Sequence, residues 1–547
     1  MIIAIVSLSI GYVVYGRFVT RKYGLDPDRR TPAHTKRDDV DYVPTKAPVL
    51  MGHHFASIAG AAPIIGPIVA AAFGWIPVLL WILLGSIFLG GVHDFSALVA
   101  SVRHGGKTIG GVIEEYVGKT GKRLFLAFAW FLVVLLIAVF AHAVANVFVK
   151  EPATATASFL FMVLAILFGL SVYRFKTPLW LSSIVGVPAN GGFHRTQRCW
   201  AAGRLIAVGL RFPILLSYNT WKVVLFVYVF FAAVAPVWFL LQPRDYLCSF
   251  LLYAIMIAGV VGIFAANPKM TSPAFTAFNV EGIGFLFPIL FVTVACGAIS
   301  GFHSLVSAGT TAKQLNKETD AKPIAYGSML IEGLLAVMAL ITATTILQSD
   351  YTKLMGEGGP IAVFSSGIGS FVSHLGVPEK AGITFAALAI SAFALTTLDT
   401  ATRLGRFMFQ EFFEGIGTQT VLSKSRYVGT VITIAVAMLF TFTGTRAALW
   451  PLFGSANQLL ASLTLLAVTL WLAKLGKDNR FIKYPMYFMF CVTLTALVLL
   501  AYRNFIDKNI PLIVTSILLL GVAITLVTKA MSSLKKITHE PKIETTE

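Results

Sequence analysis

The chain has 547 residues, 57% hydrophobic and only 12% charged, with a mean hydropathy of +0.80. Soluble domains carry about 25% charged residues, so the composition excludes a soluble enzyme. The 43 Lys and Arg against 25 Asp and Glu, a formal charge of +18, do not call for nucleic acid, because basic residues collect in the cytoplasmic loops of membrane proteins.

Apolar runs long enough to cross about 30 Å of hydrocarbon recur from end to end. The first, residues 1–16, has no basic residue before it and no small-residue cleavage site after it, so it reads as a retained anchor helix rather than a signal peptide. A basic loop at 17–50 follows. Further spans fall near 55–73, 76–100, 124–149, 154–173, 178–216 (a poor one), 222–241, 246–265, 284–311, 323–347, 383–404, 427–444, 449–472, 484–502 and 511–530, which makes fifteen crossings before a tail at 531–547. Cys199, Cys248, Cys296 and Cys491 show neither a disulfide framework nor metal-type spacing.

Alternate loops lie on opposite sides of the membrane. With the 17–50 loop inside, the inside loops and tail hold 31 of the Lys and Arg residues and the outside loops 8, the other 4 lying in the poor span. This puts the amino terminus outside and the carboxyl terminus in the cytoplasm. The outside loop at 348–382 contains GGPIAVFSSGIGSFVSHLG, which reads as a re-entrant or interfacial segment. As a full crossing it would put Arg403, Arg406, Lys424 and Arg426 outside, against the charge asymmetry.

The second crossing, FASIAGAAPIIGPIVAAAFG, carries Gly60, Pro63, Gly66 and Pro67 within eight residues. Proline lacks the amide donor and clashes with the preceding turn, and broken backbone at membrane depth survives only inside protein or along a cavity. The segment reads either as a packing kink or as a discontinuous helix whose freed amides bind a ligand. Five crossings later, FFAAVAPVWFLLQPRD has Pro236 at mid-span, after Ala232, Ala233 and Ala235. Five is odd, so the two segments enter the membrane from opposite sides. The spacing predicts a five-plus-five inverted repeat, the first half at 55–216 and the second at 222–404, with additional carboxyl-terminal helices at 427–530.

Ionisable residues inside the spans are few, and each needs a partner or a wet cavity. They are His93, Asp94, His142, His303, Glu332 and Asp399. His93 and Asp94 read as a functional pair or an interfacial cap; Glu332 and Asp399 can carry a proton or bind a cation. Ser304, Ser307, Thr310 and Thr311 follow His303 and offer hydroxyls to a substrate or cation, or bond their own helix carbonyls. His53 and His54 point about 100° apart on a helix, poor geometry for joint metal ligands, and no H-E-x-x-H motif occurs. No metal site and no cofactor is expected. The absence of G-x-x-x-x-G-K-[ST] argues against a primary pump.

GHHFASIAGAAPIIGP (52–67), GGVHDFSALV (90–99), LLQPRDYLCSFLLY (240–253), SGFHSLVSAGTTAKQL (300–315), LTTLDTATR (395–403) and LFGSANQLLA (452–461) together resemble the carbon starvation protein A family of bacterial inner-membrane transporters. The resemblance runs to about residue 530. It implies import of pyruvate or small peptides under carbon starvation, energised by a cation gradient, expected to be of protons, with sodium as the alternative. It also implies an all-α fold of the amino acid, polyamine and organocation type, with further helices at the carboxyl end. One stretch departs from the family: PANGGFHRTQRCWAAGRLIAVGLR (188–211) places four arginines where the family has an apolar helix. A locally shifted reading frame is the preferred explanation and a basic hairpin the alternative.

The expected function is a secondary symporter of the bacterial inner membrane working by alternating access. The substrate carboxylate sits against Gly60, Ala61, Pro63 and Gly66, where half-helix dipoles favour an anion. Ala232 and Pro236 form the facing wall, and Ser304 and Ser307 add hydroxyls. His93, Asp94, Glu332, Asp399, Thr310 and Thr311 are the candidates for proton or cation coupling. An alternative is a membrane-embedded metal-dependent hydrolase built from His53, His54, His93 and Asp94; a ligand-binding sensor ranks last, because the chain has no sizeable soluble domain.

Overall fold

The computed structural model describes residues 1–38, 41–171, 211–235, 239–414, 421–443, 446–506, 508 and 510–539. The anomalous stretch 188–210, most of the poor span and Pro236 lie outside the described residues. What is described is almost entirely helical, with one two-residue hairpin, Asn279–Val280 against Gly284–Phe285.

In chain order the main helices are α1 (Ile2–Tyr23), α2 (Ala47–Ile58), α3 (Ala62–Phe73), α4 (Trp75–Arg103), α5 (Ile109–Val117), α6 (Lys119–Lys150), α7 (Pro152–Gly169), α8 (Tyr218–Val234), α9 (Leu241–Ala266) and α10 (Leu286–Thr293). There follow α11 (301–314), α12 (Glu318–Thr344), α13 (Gln348–Glu357), α14 (Pro360–Ser373), α15 (Glu379–Glu414), α16 (Arg426–Thr443), α17 (Arg446–Lys474), α18 (Arg480–Ile506) and α19 (Ile510–His539).

Among the described residues, 11 of these helices are long and apolar enough to cross a membrane singly, and the bent pair α2–α3 makes up to 12. Three expected crossings account for the difference from fifteen. The span 178–216 lies largely outside the described residues, 222–241 appears as the 17-residue α8, and 284–311 is not one helix. The segment 348–382, expected as an outside loop, folds as α13 and α14, of 10 and 14 residues, each too short for a full crossing.

The break in the second crossing is real. Ala59 leaves helical geometry at φ −78°, ψ 66°, and α2 and α3 meet at 46°. Pro63 stands in the first turn of α3, where its missing amide costs nothing. Ile64 and Ile65 both donate to the Ala61 carbonyl, at 3.2 and 3.0 Å, so the amides of Ala61 and Ala62 head the half-helix. Gly74 ends the run at φ 99°, with a β-carbon position only 2.6 Å from the Ala274 carbonyl oxygen, which no other residue tolerates.

The break expected at Pro236, in 222–241, lies outside the described residues; before it α8 ends at Val234 and Ala235 is extended at ψ 152°. Among the described residues a further break follows where α10 stops at Thr293, residues 294–300 are non-helical, and α11 resumes at Gly301 after an extended Ser300 (φ −132°, ψ 124°). No proline marks the unwinding. Asn457 of α17 stabilises it, its side-chain oxygen accepting from the Phe302 amide at 2.9 Å and from the Ser300 hydroxyl at 3.3 Å. Trp81 donates to the buried Val294 carbonyl, freed by the unwinding, at 3.2 Å. These bonds satisfy groups that hydrocarbon cannot.

The two breaks pack together: Gly66 of α3 lies against Thr293 and Val294 at the end of α10. Around them α6 and α15, 32 and 36 residues long, form the most extensive helix pair among the described residues. On one end of the bundle the loop between α1 and α2 straps across the chain. Thr45 donates its amide to the Gln314 carbonyl (3.0 Å), Thr31 its hydroxyl to Leu315 (2.5 Å), and Asp26 its amide to the buried carboxylate of Glu318 (2.9 Å). Arg103 of α4 completes that contact, at 2.8 Å.

Candidate functional site

Two buried groups of ionisable side chains flank α2. In the first, Asp94 of α4 accepts from both sides: His93 Nδ1 is 2.7 Å from one carboxylate oxygen and His303 Nδ1 2.8 Å from the other. His303 Nε2 in turn stands 3.3 Å from Glu332 of α12. All four side chains are fully buried. His303 is the third residue of α11, just past the second break, so an imidazole bridges two carboxylates at the broken segment. That is the geometry of a proton relay. The Ser307–Thr311 stretch of α11 is a π-helical turn, a local widening that redirects side chains. It presents Thr311 to His54 Nδ1 at 2.9 Å.

In the second group, Arg244 of α9 is ion-paired with Asp399 of α15 and hydrogen-bonded to Tyr228 of α8, while the Tyr228 hydroxyl donates to the same Asp399 oxygen at 2.7 Å. Asp245 lies 3.4 Å from Arg244 and, on its other oxygen, 3.2 Å from His53 Nδ1. One and two turns beyond Asp399, Arg403 and Arg406 cap the carbonyl end of α8: Arg403 donates to Ala232 and Ala235 at 3.1 and 2.6 Å, Arg406 to Ala233 at 3.0 Å. Cations are favoured at that negative helix end.

The expected site residues divide accordingly. Gly60, Ala61, Pro63 and Gly66 lie buried at the first break, where a β-carbon on Gly60 would meet the Thr397 hydroxyl at 2.6 Å and the Phe140 ring at 3.1 Å. Ala232 belongs instead to the Arg403-capped end of α8, and Pro236 lies outside the described residues. Ser304 spends its hydroxyl on Gly301 (2.7 Å) and Thr464 (2.9 Å), and Thr310 on Val306 (2.9 Å). Ser307 is buried with its hydroxyl unpartnered. His142 pairs with Tyr218 at 2.6 Å, away from both groups. The set His53, His54, His93 and Asp94 does not converge, since His53 faces Asp245 and His54 faces Thr311. Among the described residues no group of three or more such side chains is arranged to hold a metal.

Sequence reasoning missed Arg244 and Asp245, which look like loop residues at the edge of an apolar run; Arg244 is only 1% exposed. It also missed Asn457, whose signal was a polar Asn-Gln pair inside LFGSANQLLA.

The architecture is that of a polytopic helical membrane protein built around two facing broken helices. A manganese transporter of Eremococcus coleocola shares it, with a TM-score of 0.52 at 13% identity over 92% of this chain and 99% of that one. At this identity the likeness concerns the fold. The chain belongs to the carbon starvation protein CstA family, whose sequence profile matches residues 1–358 and 352–496. The peptide transporter CstA of Bacillus subtilis is 34% identical over 542 residues, covering 90% of this chain and 86% of that protein. The Escherichia coli peptide transporter CstA is 32% identical (89% and 78% covered), and the pyruvate/proton symporter BtsT of the same organism is 32% identical (88% and 78%).

Proposed function

We propose that the chain is a secondary active transporter that brings pyruvate or short peptides across the bacterial inner membrane by alternating access, driven by protons. The observation that carries this reading is the bridge Asp94–His303–Glu332. It is fully buried, lies at the second break and touches three helices that must shift against one another as the broken segments rearrange. A buried ionisable chain of this kind is expensive in a membrane and is found where protons move. The names of the relatives, which cover both peptide and pyruvate/proton transport, support the same reading.

In this proposal the substrate carboxylate is held at the amides of Ala61 and Ala62, with Thr397, Ser307 and the backbone at 294–300 around it; Glu332 and His303 take the coupling proton. The break at 294–300 replaces Pro236 as the second discontinuity of an inverted repeat. In the expected count of fifteen spans it lies seven crossings after the first break, an odd number, which supports entry from opposite sides. The amino terminus is outside and the carboxyl terminus cytoplasmic, as the charge asymmetry requires.

The test is uptake of labelled pyruvate, and separately of labelled di- and tripeptides, into proteoliposomes under an imposed proton gradient. Accumulation abolished by a protonophore is the expected result. Accumulation of either substrate that ignores the protonophore defeats proton coupling.

A further inference from the structure

We infer that the His53–Asp245 contact is a second proton-carrying site, separate from the Asp94–His303–Glu332 group, so that each transport cycle moves one more positive charge than the first site alone delivers. This rests on the reading of the chain as a proton-coupled transporter.

His53 Nδ1 lies 3.2 Å from Asp245 Oδ2, and both side chains are buried. Neither ring nitrogen of His53 nor Oδ2 of Asp245 has a hydrogen-bond partner. Buried polar atoms left in this state are costly; at 3.2 Å a small rotation of the His53 ring would let a proton between Nδ1 and Oδ2 satisfy both at once.

The surrounding groups are otherwise engaged. From α9, Arg244 is committed to Asp399 and Tyr228 and reaches only the other oxygen of Asp245; Cys248 lies one turn on, against Thr396 of α15. From α15, Arg403 is committed to the Ala232 and Ala235 carbonyls. From α2 itself, His54 turns the other way, to Thr311. Asp245 Oδ2 is thereby left to His53.

The two groups share no helix. The first is built on α4, α11 and α12, the second on α8, α9 and α15, and α2 touches both through consecutive residues. When α2 lies against α9, the contact takes one proton from the outer solution; when α2 swings about the break at 59–61 and withdraws from α9, the proton passes to the inner solution. Only the bond to that proton is made and broken.

The experiment sets a membrane potential across proteoliposomes with potassium and valinomycin and no pH gradient, then measures steady-state accumulation of labelled pyruvate, or of a dipeptide if that is the substrate carried. One net charge moved across about 100 mV changes accumulation about 50-fold. Wild-type accumulation of pyruvate should rise with inside-negative potential. His53→Gln, and independently Asp245→Asn, should lower the voltage dependence by one charge while uptake driven by a pH gradient persists, which also shows that the variant is folded. The one-charge difference holds for either substrate. Wild-type voltage dependence retained in folded His53→Gln or Asp245→Asn overturns the proposal, as does wild-type pyruvate uptake driven by a pH gradient but indifferent to potential. Wild-type vesicles that accumulate neither pyruvate nor peptide under either gradient overturn the transport reading itself, and the proposal with it.

Discussion

A β-carbon on Gly66 would lie 2.5 Å from the carbonyl oxygen of Thr293, so the two broken helices meet backbone to backbone at this point. A side chain that strikes a backbone atom cannot be relieved by a rotamer change. Gly66→Ala should destabilise the protein by about 1–3 kcal/mol, the usual penalty for overpacking, and should lower transport. Gly521→Ala on the exposed face of α19, where a β-carbon meets nothing within 4 Å, is the control and should be neutral in the same thermal-unfolding assay.

Glu332→Gln keeps the shape of the buried carboxyl group but not its proton chemistry. Proton-driven accumulation should fall at least tenfold, while exchange of labelled for unlabelled substrate at equal pH, which needs no net proton movement, should persist. Loss of both activities together would assign Glu332 a structural role only.

Asp399→Asn should leave Arg244 buried with only Asp245 beside it, and removing one member of a buried pair costs about 3–5 kcal/mol. Replacing both, as Arg244→Met with Asp399→Leu, removes the uncompensated charge and should recover most of that loss. A double-mutant cycle on the unfolding temperature reads the coupling directly. If the double variant recovers stability but also transports normally, Asp399 has no part in proton coupling.

Glu318 accepts from Arg103 and from the Asp26 amide while fully buried. Glu318→Gln should free the loop at 24–46, observed as faster amide exchange and earlier proteolytic cleavage there, with α6 and α15 unchanged.

On α5, outside the spans, the hydrogen bond from Lys122 at 2.9 Å holds the Glu114 carboxyl below its usual value of 4.5. For a depressed carboxylate the stabilisation is present above the unfolded value and is lost as pH falls through the lower, folded one. Because the Glu114 side chain is 37% exposed, the effect is small, on the order of 1 kcal/mol or less. Glu114→Gln should flatten the acid limb of the stability profile by that amount and leave neutral pH nearly unchanged.

Much of the architecture was legible because hydrocarbon imposes simple demands. Long apolar runs and the clustering of Lys and Arg located most helices, and two prolines with two glycines located the first break. The second break escaped because its unwinding is stabilised from elsewhere in the chain: Asn457, more than 150 residues later, satisfies the Phe302 amide, so no local proline was needed. Pro236, on which the expected second break was placed, lies outside the described residues. His93, Asp94, Glu332 and Asp399 stood out as charges in apolar sequence, but their partners did not follow from spacing. His303 joins the first group by tertiary packing, and Arg244 and Asp245 looked like loop residues until α9 was seen to begin at Leu241. Thr310 bonds within its own helix, and Ser304 bonds both its own helix and Thr464 of α17.

The strap formed by the loop between α1 and α2 gears the two half-helices together. Its last residues lead directly into α2, while Thr31 and Thr45 grip the carbonyls of Leu315 and Gln314 where α11 ends. The strap thus joins the start of α2, which carries His53 and His54, to the end of α11, which carries His303. Without the strap, α2 and α11 would lose this direct tie between them.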